Sequence, residues 1–137
     1  MPTVGLPKHA IKAVELGADV ITVQGGEGGG HTGAVPTTLL IPQVVDAVGD
    51  QVPVVAAGGF KDGRGLLAAL SWGADGIAMG TRFLMTEESP VPRETLLRYV
   101  DCSNPADIIV SKAMDGLPPR MIMNEVLSEL ASAGPAR

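Results

Sequence analysis

Three short apolar runs, each closing on glycine, constrain this chain more than anything else in it. Residues 20–23 lead into Gln24-Gly25-Gly26-Glu27-Gly28-Gly29-Gly30-His31-Thr32-Gly33, residues 52–57 into Gly58-Gly59, and residues 76–79 into Gly80. None alternates apolar with polar residues, so none suits a strand with one wet face. Uninterrupted runs of this length suit strands covered on both faces, as in a parallel sheet. Glycine where a strand ends lets main-chain amides approach a ligand with no Cβ in the way.

Helical sequence lies beside each run. The pattern predicts helices over 7–16, with Pro7 in the first turn, and over 39–48, where Pro42 would kink a longer helix. Asp62 is placed to cap a third helix reaching Ser71 or Trp72, and two more are predicted over 93–100 and 120–133. Alternating helices and strands imply βαβ units. Ala13-Val14-Glu15-Leu16-Gly17-Ala18-Asp19-Val20-Ile21 echoes Ala69-Leu70-Ser71-Trp72-Gly73-Ala74-Asp75-Gly76-Ile77, each a helix stopped by glycine before a strand. Asp19 and Asp75 are read as solvating these junctions. Met1-Pro2-Thr3-Val4 reads as the stub of a further strand.

The 137 residues suffice for one domain with its own core, and with aromatics at 3% that core must be aliphatic. The net charge of −5 argues against a nucleic-acid or anionic-membrane surface. The single cysteine, Cys102, excludes an intrachain disulfide and fits a cytoplasmic setting. No apolar run approaches the roughly 18 residues of a membrane span, and no signal peptide is expected. The scattered acidic residues have no metal-ligand spacing, so no metal site is expected. A Walker loop is absent, and the first glycine loop has His31 where a dinucleotide fingerprint needs its last glycine.

The glycine-bearing strand ends are candidate phosphate cradles. Backbone N–H groups of Gly59, Gly80 and Thr81, the Thr81 hydroxyl and Arg82 are the possible donors. Each glycine pair taken alone also suits a plain tight turn. His31 admits two readings: a loop histidine bonded to a backbone carbonyl, or a general acid/base above a ligand. Glu27 either orients it or is solvated.

These three glycine motifs, with Pro53-Val54-Val55-Ala56-Ala57-Gly58-Gly59-Phe60-Lys61-Asp62-Gly63-Arg64-Gly65 and Met79-Gly80-Thr81-Arg82-Phe83-Leu84 around the second and third, resemble the nitronate monooxygenase family, formerly 2-nitropropane dioxygenase. The FMN-dependent enoyl-acyl-carrier-protein reductases II share the same motifs. The resemblance extends to Asp115-Gly116 and Arg120. It implies an α/β fold, the C-terminal part (about strands five to eight) of a (β/α)8 TIM barrel with parallel strands and flanking helices. Residues 1–137 would be a partial FMN-binding domain, with barrel units over about 1–101 and a helical tail over about 102–137. Gln24 and Gly29 would contact the flavin or its phosphate side. Gly58, Gly59, Ala78, Met79, Gly80 and Thr81 would grip the phosphate, and His31 matches the family's catalytic histidine. Many members have Ala where this chain has Gly28.

The implied activity is FMN-dependent oxidation of nitronates or nitroalkanes with dioxygen, with His31 removing the α-proton of a neutral nitroalkane. The alternatives are an enoyl-thioester reductase and a non-catalytic half-barrel. The family's first half has no counterpart here. Activity is therefore expected to need that half, or self-association into a homo-oligomer covering the open sheet edges.

Overall fold

The structure, a computed structural model, describes residues 1–132. In chain order its elements are β1 (Thr3–Val4), α1 (Pro7–Glu15), β2 (Ile21–Gln24), β3 (Gly30–His31), α2 (Thr37–Val48), β4 (Val54–Ala57), α3 (Gly63–Ser71) and β5 (Gly76–Ala78). There follow α4 (Thr81–Leu84), α5 (Arg93–Asp101), a 3-10 turn Pro105–Asp107, β6 (Ile108–Val110), β7 (Pro119–Ile122) and α6 (Glu125–Ser132). They form two units, Met1–Gly28 with Thr32–Gly80, and Gly29–His31 with the residues from Thr81 onward.

The first unit is a parallel sheet in the order β1-β2-β4-β5, which is also chain order. That sequence of neighbours, with a helix between each pair, is what consecutive βα units build. Register assigns the side chains to two faces. Val4, Val23, Ala56 and Ile77 form one cross-strand row. They pack with Ile21 and Val54 of the sheet and with Ala10, Leu40, Ile41, Val44, Val48 and Ala69 of the helices. The helix-covered core therefore lies on this face. Each fully buried Val, Leu or Ile side chain there stabilises the fold by roughly 1.5–3 kcal/mol. The alternate residues form two rows on the other face, Thr3-Thr22-Val55-Gly76 and Gln24-Ala57-Ala78. The Thr22 hydroxyl is buried there with no hydrogen-bond partner among the described residues.

Local chemistry accounts for the boundaries. Asp62 caps α3 by accepting the Arg64 N–H at 3.0 Å. Gly17 and Gly73 follow the C-caps of α1 and α3 with φ of 90° and 88°, the left-handed geometry that stops a helix. Asp75 does more than solvate its junction: its carboxylate accepts the Val54 N–H at 2.8 Å, and its own N–H donates to the Val54 carbonyl. Helix α2 begins at Thr37, two residues earlier than the apolar pattern suggests, and continues through Pro42. Strand β4 begins at Val54 rather than residue 52.

The second unit holds an antiparallel sheet in the order β3-β7-β6. His31 pairs with Pro119 and Gly30 with Arg120, while Ile108, Ile109 and Val110 pair with Ile122, Met121 and Arg120. This corrects the helix expected over 120–133. The first residues of that stretch are drawn into the ladder by β-branched β6, and α6 starts only at Glu125, where the Asn124 side chain accepts the Leu127 N–H at 2.9 Å. Its expected end, Ala133, lies outside the described residues. The expected helical tail is thus part strand and part helix. Helix α5 forms over Arg93–Asp101, one residue beyond the expected end, and buries none of its residues.

Candidate functional site

In the first unit the ladder carries Gln24 and Ala78 into one row across Ala57, at the C-terminal ends of β2, β4 and β5. The chain then turns through glycines. Gly25 N–H extends the ladder by donating to the Ala57 carbonyl at 3.1 Å. Gly58 and Gly59 have φ of 98° and 79°, where L side chains are strained. A Cβ on Gly58 would lie 3.1 Å from both the Gly25 carbonyl oxygen and the Gly28 nitrogen, and one on Gly59 would lie 3.2 Å from Glu27 Cβ. The loops after β2 and β4 therefore interlock through contacts only glycine permits. Gly28 is buried over Gln24, and a Cβ there would press on the Gln24 side chain at 2.5–2.7 Å. Glycine at position 28 is thus matched to the packing of Gln24, the residue expected to contact the flavin. Met79 and Gly80 follow β5, and a Cβ on Gly80 would meet nothing within 4 Å.

Polar bonds brace the first loop. Thr32 Oγ1 donates to the Gly25 carbonyl at 3.0 Å. Glu27 Oε2 accepts the Thr37 N–H at 2.9 Å and the Thr37 hydroxyl at 2.5 Å. Pro36, the N-cap of α2, offers no side-chain cap. Glu27 supplies one from outside the helix, with its negative charge at the favourable end of the helix dipole.

In the second unit Gly29 and His31 stand beside and within β3, and Thr81 opens α4. A Cβ on Gly29 would meet open space. The His31 imidazole is about half exposed, and its Nε2 lies 2.8 Å from Asp115 Oδ2. The other carboxylate oxygen of Asp115 accepts the Leu117 N–H at 3.0 Å. The His31 hydrogen bond, and then the Leu117 N–H, hold the Asp115 carboxyl below the usual carboxylate range. Asp115 escaped the residue-level reading because 84 positions separate it from His31. The Asp115-Gly116 pair signals a turn and nothing more. Gly116 takes that turn with φ of 82°.

The Gly58-Gly59 turn fits a phosphate-bearing group, because main chain without Cβ atoms directly follows β4, and Gly80 comes two residues after the end of the adjacent parallel strand β5. Among the described residues no His, Cys, Asp and Glu cluster could hold a metal ion, and no helix is long and apolar enough to cross a membrane.

The sequence model of the nitronate monooxygenase family matches residues 1–136. A protein of Rhodococcus jostii (strain RHA1), named (3aS,4S,5R,7aS)-5-hydroxy-7a-methyl-1-oxo-octahydro-1H-indene-4-carboxyl-CoA dehydrogenase, is 53% identical over all 137 residues, which cover 38% of its length. The solved structure of FabK from Thermotoga maritima superposes with a TM-score of 0.85 at 36% identity, over 93% of this chain and 40% of that one. Nitroalkane oxidase from Streptomyces ansochromogenes superposes with a TM-score of 0.83 at 33% identity, over 98% of this chain and 41% of that one. The chain thus spans about two-fifths of the length of these relatives. With a match across nearly every residue and the parallel α/β fold in common, this chain belongs to the nitronate monooxygenase family.

Proposed function

We propose that this chain is the portion of an FMN-dependent oxidoreductase that carries the phosphate grip and the proton-transferring base, acting on a coenzyme A thioester with an acidic C–H beside its carbonyl. The observation that carries the reading is His31, a half-exposed imidazole backed by the Asp115 carboxylate at 2.8 Å. An imidazole so placed suits removal of a weakly acidic proton near neutral pH. The 53% identity to a carboxyl-CoA dehydrogenase supports the thioester class.

In this reading β1, β2, β4 and β5 are staves five to eight of a (β/α)8 barrel, and residues from about 102 onward are a tail outside it. Gln24 and Gly29 contact the flavin or its phosphate side, and Gly58, Gly59, Ala78, Met79, Gly80 and Thr81 hold the phosphate. When bound, FMN would supply the acceptor for the hydride that leaves the β-carbon as the α-proton is lost and the carbon–carbon double bond forms. His31 takes the α-proton and keeps it on the imidazole. Asp115 lowers the cost of that positive charge.

A second reading, oxidation of alkyl nitronates and nitroalkanes with dioxygen, is favoured by the family match and by the likeness to nitroalkane oxidase. The same base serves it, because a nitroalkane also carries an acidic C–H. Anaerobic addition of substrate to the FMN-loaded protein separates the two. Bleaching of the flavin by cyclohexanecarboxyl-CoA and not by ethyl nitronate is the expected result. The reverse pattern transfers the assignment to nitronate oxidation. In that case His31→Ala should harm turnover of neutral nitroethane more than of its nitronate, and equal losses would remove His31 as the base.

A further inference from the structure

We propose that Asp115 is a positioning residue for His31, fixing the imidazole in the tautomer with its proton on Nε2 and its basic lone pair on Nδ1. The inference rests on the assignment of His31 as the base. Three features of the second unit build the arrangement. The β3–β7 ladder sets His31 opposite Pro119, so the loop between β6 and β7 returns to the strand carrying the imidazole. Gly116, in the left-handed region with its N–H donating to the Lys112 carbonyl at 3.0 Å, shapes that loop around the aspartate. Both carboxylate oxygens are then used: Oδ1 accepts the Leu117 N–H at 3.0 Å, and Oδ2 faces His31 Nε2 at 2.8 Å. An ionised carboxylate only accepts hydrogen bonds, so the shared proton sits on Nε2 in the neutral ring. An imidazole held from behind by a carboxylate is fixed in both orientation and tautomer, which is how a general base is readied.

The Leu117 bond makes Asp115→Asn a discriminating test. The Leu117 N–H needs an acceptor, so the asparagine carbonyl oxygen takes the place of Oδ1. Its amide nitrogen then faces the ring where Oδ2 stood. A donor there inverts the tautomer while the loop keeps its turn. The experiment is a long-range 1H–15N correlation spectrum of the 15N-histidine-labelled chain, with turnover of nitroethane and cyclohexanecarboxyl-CoA by the FMN-loaded protein as the second readout. The Nε2–H tautomer is expected for His31 in the wild type and the Nδ1–H tautomer in D115N. Turnover on whichever substrate is used should fall on the order of tenfold or more, less than for a fully buried triad because this pair is half exposed. D115E should recover part of the loss, and D115N should add nothing to H31A, since one acts through the other. An unchanged tautomer in D115N, or an equal loss from D115N in the H31A background, overturns the positioning role and leaves the base assignment standing. Full turnover in H31A overturns the base assignment and this inference with it.

Discussion

The two units of this chain spend their apolar residues differently. In the first, one face of a parallel sheet and three helices enclose a continuous aliphatic core, in which Ile21, Val23, Ile41, Val44, Val48 and Val54 are fully buried. In the second, only Pro119 and Leu127 are buried among the described residues, and Phe83, Val100, Leu117 and Val126 are each more than half exposed. Yet that second unit carries His31 and Asp115. Stability concentrates where the glycine turns are anchored, and the hydrogen-bonded His31–Asp115 pair stands on a lightly packed sheet. Sites that must exchange substrate are commonly drawn from such less stable regions.

The largest expected effect tests that contrast directly. Ile41→Ala should cost about 2–5 kcal/mol, because the side chain is fully buried and its neighbours can only partly close the cavity. Val126→Ala, on the exposed side of α6, should stay within about 0.5 kcal/mol. Urea unfolding midpoints with unchanged slopes would measure both. Comparable costs would break the comparison and mean that Val126 is covered in the protein as it exists in solution.

The next effect lies within the first unit and separates strain from ligand contact. Gly58→Ala adds a Cβ against three backbone atoms at a left-handed φ, so about 1–3 kcal/mol of stability should go even without ligand. Gly80→Ala adds one into open space and should leave the unliganded stability within about 0.5 kcal/mol of wild type. Flavin fluorescence quenching should then show weaker FMN binding in both variants. A Gly80→Ala protein that binds FMN as well as wild type would remove Gly80 from the phosphate grip.

The same contrast explains what was legible in the sequence. The helices and strands of the first unit announce themselves locally, through unbroken apolar runs, Asp62 as a cap, and Gly17 and Gly73 as stops, and the structure moves their ends by only a residue or two. The positions of Gln24, Ala78 and the glycines beside them at strand ends were legible for the same reason, whereas the roles expected of them toward a flavin come from the family resemblance alone. The second unit is built from pairings distant in sequence, such as Gly30 with Arg120 and His31 with Pro119. No local period distinguishes strand from helix over Pro119–Ile122, and the partner strand decides. His31 was visible as a lone imidazole after glycines, whereas its carboxylate partner is a product of the fold. Glu27 reads in the sequence either as a partner for His31 or as a solvated carboxylate, and neither reading foresees its bonds to Thr37, which cap α2.

The smallest expected effect compares one surface carboxylate from each unit. In the first, the Arg64 guanidinium beside Asp62 holds that carboxyl down at about 2, and in the second His31 and the Leu117 N–H hold Asp115 below its ordinary value. Both groups have folded values below their unfolded ones. The stability each contributes is therefore complete above the ordinary carboxylate range, near pH 4, and is lost as pH falls through the folded value. For Asp62 that window is from about pH 4 down to about 2. Both carboxylates are solvent-screened, so the contribution should be small and should shrink further in high salt. Asp62→Asn keeps an acceptor for the Arg64 N–H while removing the charge, so the cap survives and only the pH-dependent part goes. The melting temperature of that variant should fall less steeply than wild type between pH 4 and 2, and the two should differ least at 1 M salt. Asp115→Asn should flatten the same acid limb. If only the Asp62 variant does so, the His31–Asp115 pair adds nothing to the stability of its unit.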